Sequence, residues 1–193
     1  CSYIKENYDL KNYVFSGASA GSWNSLFLSY NGKQDELIKK IFEINYEEAN
    51  TIFEIEMMIK NKFISDFSEK DFDLSRVYIG STILSKCKLK SIVYNDFTSL
   101  GDAIDCCIGS SHIPIVCGGL YYKYRNKITV DGGISLFFNQ SPYLPTKIPS
   151  LIINPNLFRN DINDSETVDL CEFYRSYFDS LDIKNIGKIK SMY

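Results

Sequence analysis

The sequence predicts an α/β fold in a single domain spanning residues 1–193. Strand-like and helix-like segments alternate along the chain, no repeat or low-complexity linker divides it, and 193 residues suit one domain. A chain of that size buries roughly 70% of its unfolded surface and needs no crosslink to fold. With 45% hydrophobic, 15% aromatic and 23% charged residues, it is richer in aromatics than a disordered chain and far poorer in Gly and Pro than a collagenous one.

Residues 1–9 (CSYIKENYD) read as the end of a helix with Ile4 and Tyr8 on one face. Tyr13, Val14 and Phe15 then form a short apolar strand that turns abruptly at Ser16 to Gly21. Helical spacing resumes at Trp23, Leu26, Phe27 and Tyr30, and Asn31-Gly32 ends that helix. Residues 35–45 and 46–63 carry apolar positions three and four apart between charges, with acidic starts and lysine-bearing ends, which predicts two amphipathic helices. Residues 76–85 and 89–94 are short and rich in β-branched residues and read as strands; 99–108 reads as a helix followed by a loop from Gly109 to Pro114. Residues 120–124 and 127–130 form a strand pair around Arg125-Asn126, closed by Asp131-Gly132-Gly133. A strand at 150–154 and a helix at 166–181 complete the series.

Charge and cysteine usage narrow the function. A net charge of −3 supplies no basic field for a phosphate backbone, so nucleic acid is not an expected partner. Six cysteines without a C-x-x-C pair, beside the single His112, do not make a zinc framework, so a structural zinc is not expected. The cysteines lie in apolar stretches, which predicts reduced, mostly buried thiols and a cytoplasmic protein. No apolar run approaches the ~18 residues of a membrane span, so membrane contact would be peripheral.

The strongest local signal is Gly17-Ala18-Ser19-Ala20-Gly21, a G-x-S-x-G pattern where a strand gives way to a helix. A serine on so sharp a turn presents its hydroxyl outward, its neighbours must be small, and the N–H groups from Ala20 onward open the helix toward an oxyanion. Such a nucleophile needs a base. The order Ser, acid, His is awkward here, because no histidine follows the later carboxylates. A carboxylate or lysine paired directly with Ser19 remains, and Asp131 is best placed: it ends the strand at 127–130, and Gly132 and Gly133 allow close approach to another loop. His112 reads as structural or cleft-lining, and Ser110 and Ser111 as supports of the cleft.

Taken in order, the GASAG elbow, the strand with Ser81-Thr82, the Cys107-Ile108-Gly109-Ser110-Ser111-His112-Ile113-Pro114 segment and Asp131-Gly132-Gly133 resemble the patatin-like phospholipases over residues 1 to about 140. The resemblance implies a three-layer sandwich with a central mainly parallel sheet and helices on both faces. It also implies a Ser19-Asp131 dyad hydrolysing carboxylic esters of glycerolipids or phospholipids through an acyl-enzyme, with lipid-surface contact and no metal or organic cofactor. An acyltransferase using the same serine and an acyl-binding or regulatory protein on the same fold are the alternatives. The family's glycine-rich oxyanion turn, one helix before the elbow, is not found in residues 1–18; together with Cys rather than Met at position 1, this reads as an N-terminally truncated chain. Trp23, Phe27, Leu120, Tyr121, Tyr122, Phe137 and Phe138 are candidates for an acyl groove or for the core.

Overall fold

The computed structural model describes residues 1–145, which belong to one compact unit, Cys1–Thr146. Its order is α1 (Ser2–Asn7), β1 (Phe15–Ala18), α2 (Ala20–Leu28), α3 (Gln34–Phe42), α4 (Ile52–Asp66), β2 (Val77–Ser85), β3 (Lys88–Tyr94), α5 (Leu100–Ser111), β4 (Tyr122–Tyr124) and β5 (Lys127–Val130). Short 3-10 turns lie at Glu69–Asp71, Leu74–Arg76 and Gly132–Phe138. The strand and helix expected at 150–154 and 166–181 lie outside the described residues.

The protein is mixed α/β with an open five-stranded sheet centred on β2. β1 pairs with β2 in parallel, from Phe15 opposite Val77 to Ala18 opposite Gly80. β3 runs antiparallel along Ile79 to Ser85, and β5 runs antiparallel along Thr82 to Leu84, with β4 outside it. Since β3 occupies one edge of β2, β1 and β5 share the other, and they run toward each other. Their ends, Ala18 and Val130, stop opposite Gly80 and Thr82, so the two chains meet head-on at the level of Ser81.

Among the described residues one strand pair is parallel and three are antiparallel, which corrects the expectation of a mainly parallel sheet. The reason lies in the connections. A parallel pair needs a crossover of a dozen or more residues, which the two-residue connections from β2 to β3 and from β4 to β5 cannot supply. β2 turns into β3 through Lys86 and Cys87, at φ 49° and 58°, and β4 into β5 through Arg125 and Asn126, at φ 45° and 61°. Two successive left-handed residues make the tight turn whose twist suits a hairpin, and Lys-Cys lacks the Asn-Gly signature that would announce it.

One face of β2 carries the core. Val77 and Ile79 join Leu26, Phe63, Ala103, Ile104 and Ile108 in a single buried cluster beneath the helices; each large apolar side chain there is worth about 1.5–3 kcal/mol in transfer terms. The opposite face is covered by the chain after Asp131. The missing side chain of Gly80 leaves room for Pro142, Thr82 Oγ1 donates to the Gly132 carbonyl (3.3 Å), Ser91 Oγ to the Ser141 carbonyl (2.8 Å), and Ser16 Oγ accepts from the Leu144 amide (2.9 Å).

Three element boundaries differ from the sequence reading for identifiable reasons. α4 begins at Ile52 rather than Tyr46, because Thr51 and Glu54 form a reciprocal capping box. α5 continues through Gly109, Ser110 and Ser111, so the expected loop there is the helix's last turn. Ser111 Oγ lies 2.8 Å from the Cys107 carbonyl one turn back. At the other end β1 is shifted: Tyr13 and Val14 are exposed, and the strand includes Gly17 and Ala18. Of the five cysteines among the described residues, all are free thiols; Cys106, Cys107 and Cys117 are buried, but Cys87 is exposed in its hairpin turn.

Candidate active site

The site forms where β1 and β5 converge. Ser19 caps α2 with φ 55° and ψ −131°, a conformation that a non-glycine residue adopts only under strain of about 1–3 kcal/mol. The close crossing of strand and helix enforces it: a Cβ on Gly17 would collide with the Gly21 carbonyl and meet Ser25 Oγ. Gly17 is therefore required by contact. Gly21 is not, since a Cβ there meets nothing within 4 Å; what it contributes is the carbonyl that lies against Gly17.

Across the gap, Asp131 is fully buried. Ser19 Oγ donates to its Oδ2 at 2.5 Å, and the Gly133 amide donates to its Oδ1 at 2.8 Å. One oxygen is thus oriented by the turn that follows the strand, and the other faces the serine. The Asp131 amide donates to the His112 carbonyl (2.8 Å), tying the end of β5 to the end of α5. Gly132 packs so closely on the Gly80 carbonyl and Ala18 that a Cβ would overlap both.

Ser110 closes the gap in the sheet. Completely buried, its Oγ accepts from the Ser19 amide (2.9 Å) and donates to the Gly80 carbonyl (2.6 Å). One hydroxyl therefore satisfies both the strained amide of the elbow and a strand carbonyl beside the break between β1 and β5. Ser22 Oγ and the Ser22 amide both donate to the Ser19 carbonyl (2.6 and 2.9 Å), fixing the first turn of α2.

His112 is buried with its ring 6.4 Å from that of Tyr122, and burial holds its imidazole below the ordinary value. Its backbone reaches Asp131, while Ser19 Oγ bonds the carboxylate. Ser111 stands one residue from Ser110 in a separate network: its Oγ accepts from Trp23 Nε1 at 3.2 Å and meets Glu56 Oε1 at 2.5 Å. Glu56 is only 6% exposed, and burial pushes its carboxyl up to about 7 against the downward pull of Ser111 and Trp23, with the Asp131 charge adding to the rise.

Sequence reasoning passed over Glu56, although a signal was present. It falls on the apolar stripe of α4, between Ile52 and Ile59 at four and three residues, where a carboxylate is out of place. Gly80 and Ser22 carry no such signal, because their roles arise from contacts with other segments.

The candidate groove residues divide. Trp23, Phe27 and Tyr122 pack against the core, and Tyr122 donates to Asp105 (3.0 Å). Leu120, Tyr121, Phe137 and Phe138 are exposed, as is Ile115 at φ 72°. Thus the segments leaving His112 and Asp131 both present apolar side chains outward. Among the described residues no helix is long and apolar enough to cross a membrane. A scan against protein-family models gives no match, and no curated protein matches the chain.

Proposed function

We propose that the chain is a lipid acyl hydrolase of the patatin-like kind, with Ser19 as nucleophile and Asp131 as its base. The observation that carries this reading is the 2.5 Å contact between Ser19 Oγ and Asp131 Oδ2, made at a strained strand-to-helix turn. The residues supporting it arrive in the order that resembles that family: the elbow, the Ser110-Ser111 segment and the D-G-G turn.

In this reading the Ser19 proton passes to Asp131 as Oγ bonds to the ester carbonyl carbon, giving a tetrahedral oxyanion. Backbone N–H groups at the start of α2, beginning with Ala20, stabilise that charge, since the first amides of a helix have no acceptor within it. Collapse breaks the ester C–O bond, and the departing alcohol takes the proton from Asp131. Water then gives a proton to Asp131 as its oxygen attacks the acyl-enzyme; the acid leaves and the proton returns to Ser19. Burial of Asp131 excludes competing water, and its fixed Oδ1 keeps Oδ2 aimed at the hydroxyl.

A glycerolipid or phospholipid substrate is supported by the exposed Ile115, Leu120, Tyr121, Phe137 and Phe138 on segments flanking the dyad, which suit contact with an apolar aggregate. The test is labelling with a fluorophosphonate, followed by hydrolysis of long-chain and short-chain esters. Labelling should require Ser19 and fall at least about a hundredfold in Asp131→Asn; equal labelling of Ser19→Ala would refute the assignment.

A further inference from the structure

Glu56 stands outside the dyad, yet its surroundings do not suit a carboxylate. Ser111 Oγ lies 2.5 Å from Glu56 Oε1, 2.8 Å from the Cys107 carbonyl and 3.2 Å from Trp23 Nε1. A hydroxyl has one proton to give and two lone pairs to receive with, whereas an indole N–H can only give. If Glu56 were ionised, the two close oxygens would compete for the single Ser111 proton, and Glu56 Oε2, buried without a hydrogen-bond partner among the described residues, would be part of an anion. If Glu56 is the acid, its O–H donates to Ser111 Oγ, the Ser111 hydroxyl donates to the Cys107 carbonyl, and Trp23 donates to Ser111. Every close contact is then a hydrogen bond, and the unpartnered oxygen belongs to a neutral group, for which burial is far cheaper.

The position of this network gives it a role. Trp23 is on α2, four residues beyond Ser19, and Ser111 adjoins the Ser110 that holds the Ser19 amide. We propose that Glu56 is a positioning residue for the Ser19-Asp131 dyad: as a neutral carboxylic acid it donates to Ser111 Oγ and so holds α2 and the last turn of α5 where they present Ser19. The inference rests on Ser19 and Asp131 being the reacting pair. Loss of the Glu56 proton takes the Ser111 proton from the Cys107 carbonyl and leaves a buried anion, which loosens the support behind the elbow.

The groups facing Glu56 are Ser111 and Cys107 of α5, Cys117 in the loop after it, Tyr122 of β4, Asp131 after β5 and Trp23 of α2. Burial raises the Cys107 and Tyr122 groups well above their ordinary values and Cys117 to about 11, so these remain protonated at neutral pH. The Glu56 carboxyl, at about 7, changes charge there.

Trp23 is the one tryptophan in the chain, so its fluorescence reads the network independently of activity. The emission of the full chain should titrate with a midpoint near 7, and Glu56→Gln, which keeps a donor toward Ser111 but cannot ionise, should abolish that transition. Fluorophosphonate labelling of Ser19 should be similar in both proteins near pH 6 and fall about tenfold in the wild type relative to Glu56→Gln by about pH 9. Glu56→Leu should label slowly at every pH.

A flat wild-type emission, or a transition that persists in Glu56→Gln, overturns the proposal. So does wild-type labelling that rises relative to Glu56→Gln through the transition, because Glu56 would then act as a charge that strengthens Asp131 as a base. Absence of Ser19-dependent labelling at every pH instead overturns the catalytic reading, and the positioning role with it, while the Trp23 titration still reports the Glu56 proton.

Discussion

Replacing Ser110 by alanine tests the central joint of the site. Its hydroxyl satisfies the Ser19 amide at 2.9 Å and the Gly80 carbonyl at 2.6 Å, and no solvent reaches its own side chain. Alanine leaves both backbone groups without that partner. The Gly80 carbonyl is buried and loses about 2 kcal/mol; Ser19 is half-buried, so its amide recovers some solvation and loses about 1 kcal/mol. The sum, about 3 kcal/mol, should appear in urea denaturation as a lower midpoint at unchanged slope. Ser65→Ala is the control, because among the described residues its exposed hydroxyl bonds only the nearby Lys62 and Asp66; it should cost less than about 0.5 kcal/mol. The catalytic effect should exceed the loss of stability. Without the Ser110 bond the elbow can relax from φ 55° and withdraw the hydroxyl from Asp131, and a displacement of about 1 Å costs on the order of a hundredfold in rate. A stability loss below about 1 kcal/mol with fluorophosphonate labelling retained would refute this account of the joint.

Three further outcomes follow from the same contacts. Gly17→Ala should destabilise the fold by more than about 3 kcal/mol, since its Cβ meets the Gly21 backbone, whereas Gly21→Ala has open space and should be neutral or stabilising by up to about 1 kcal/mol; thermal unfolding of the pair checks the asymmetry. Gly132→Ala should abolish Ser19 labelling by pushing the Asp131 turn away from Gly80 and Ala18, and equal labelling rates would contradict it. Glu56 makes stability depend on pH. Its carboxyl rises from an ordinary 4.5 to about 7 on folding, so folding takes up a proton between those values. The stabilisation is whole below about pH 4.5 and lost as pH rises through 7, by about 3 kcal/mol in all. Glu56→Gln lacks this dependence, so its stability relative to wild type should rise by about that amount between about pH 4 and pH 8.5, as measured by urea unfolding.

What was legible in the sequence was local. The strand-to-helix turn at Ser19 announces itself because small residues surround it and the apolar period changes across it, and a turn at Asp131 because two glycines end a β-branched run. Helices α2, α3, α4 and α5 were visible in their apolar spacing, although Thr51 and Glu54 moved the start of α4 and the last turn of α5 absorbed Ser110 and Ser111. The strand pair around Arg125-Asn126 was visible too, whereas the hairpin at Lys86-Cys87 was harder to read as such, since its left-handed residues are not glycines. The expectation of a mainly parallel sheet came instead from the family resemblance, and the hairpin connections overturn it.

By itself the sequence determined which serine sits on an elbow and which aspartate ends a strand, because both depend on the conformational freedom of adjacent residues. Only the tertiary structure decided that they meet. Periodicity specifies which face of a strand is buried but not which strand lies beside it, and Ser19 and Asp131 are 112 positions apart. Their contact follows from β1 and β5 sharing one edge of β2 and stopping on either side of Ser81. The same holds for Ser110, whose hydroxyl fills the break between those strands, and for Glu56, whose proton has meaning only once α4 is packed against the end of α5 and Trp23.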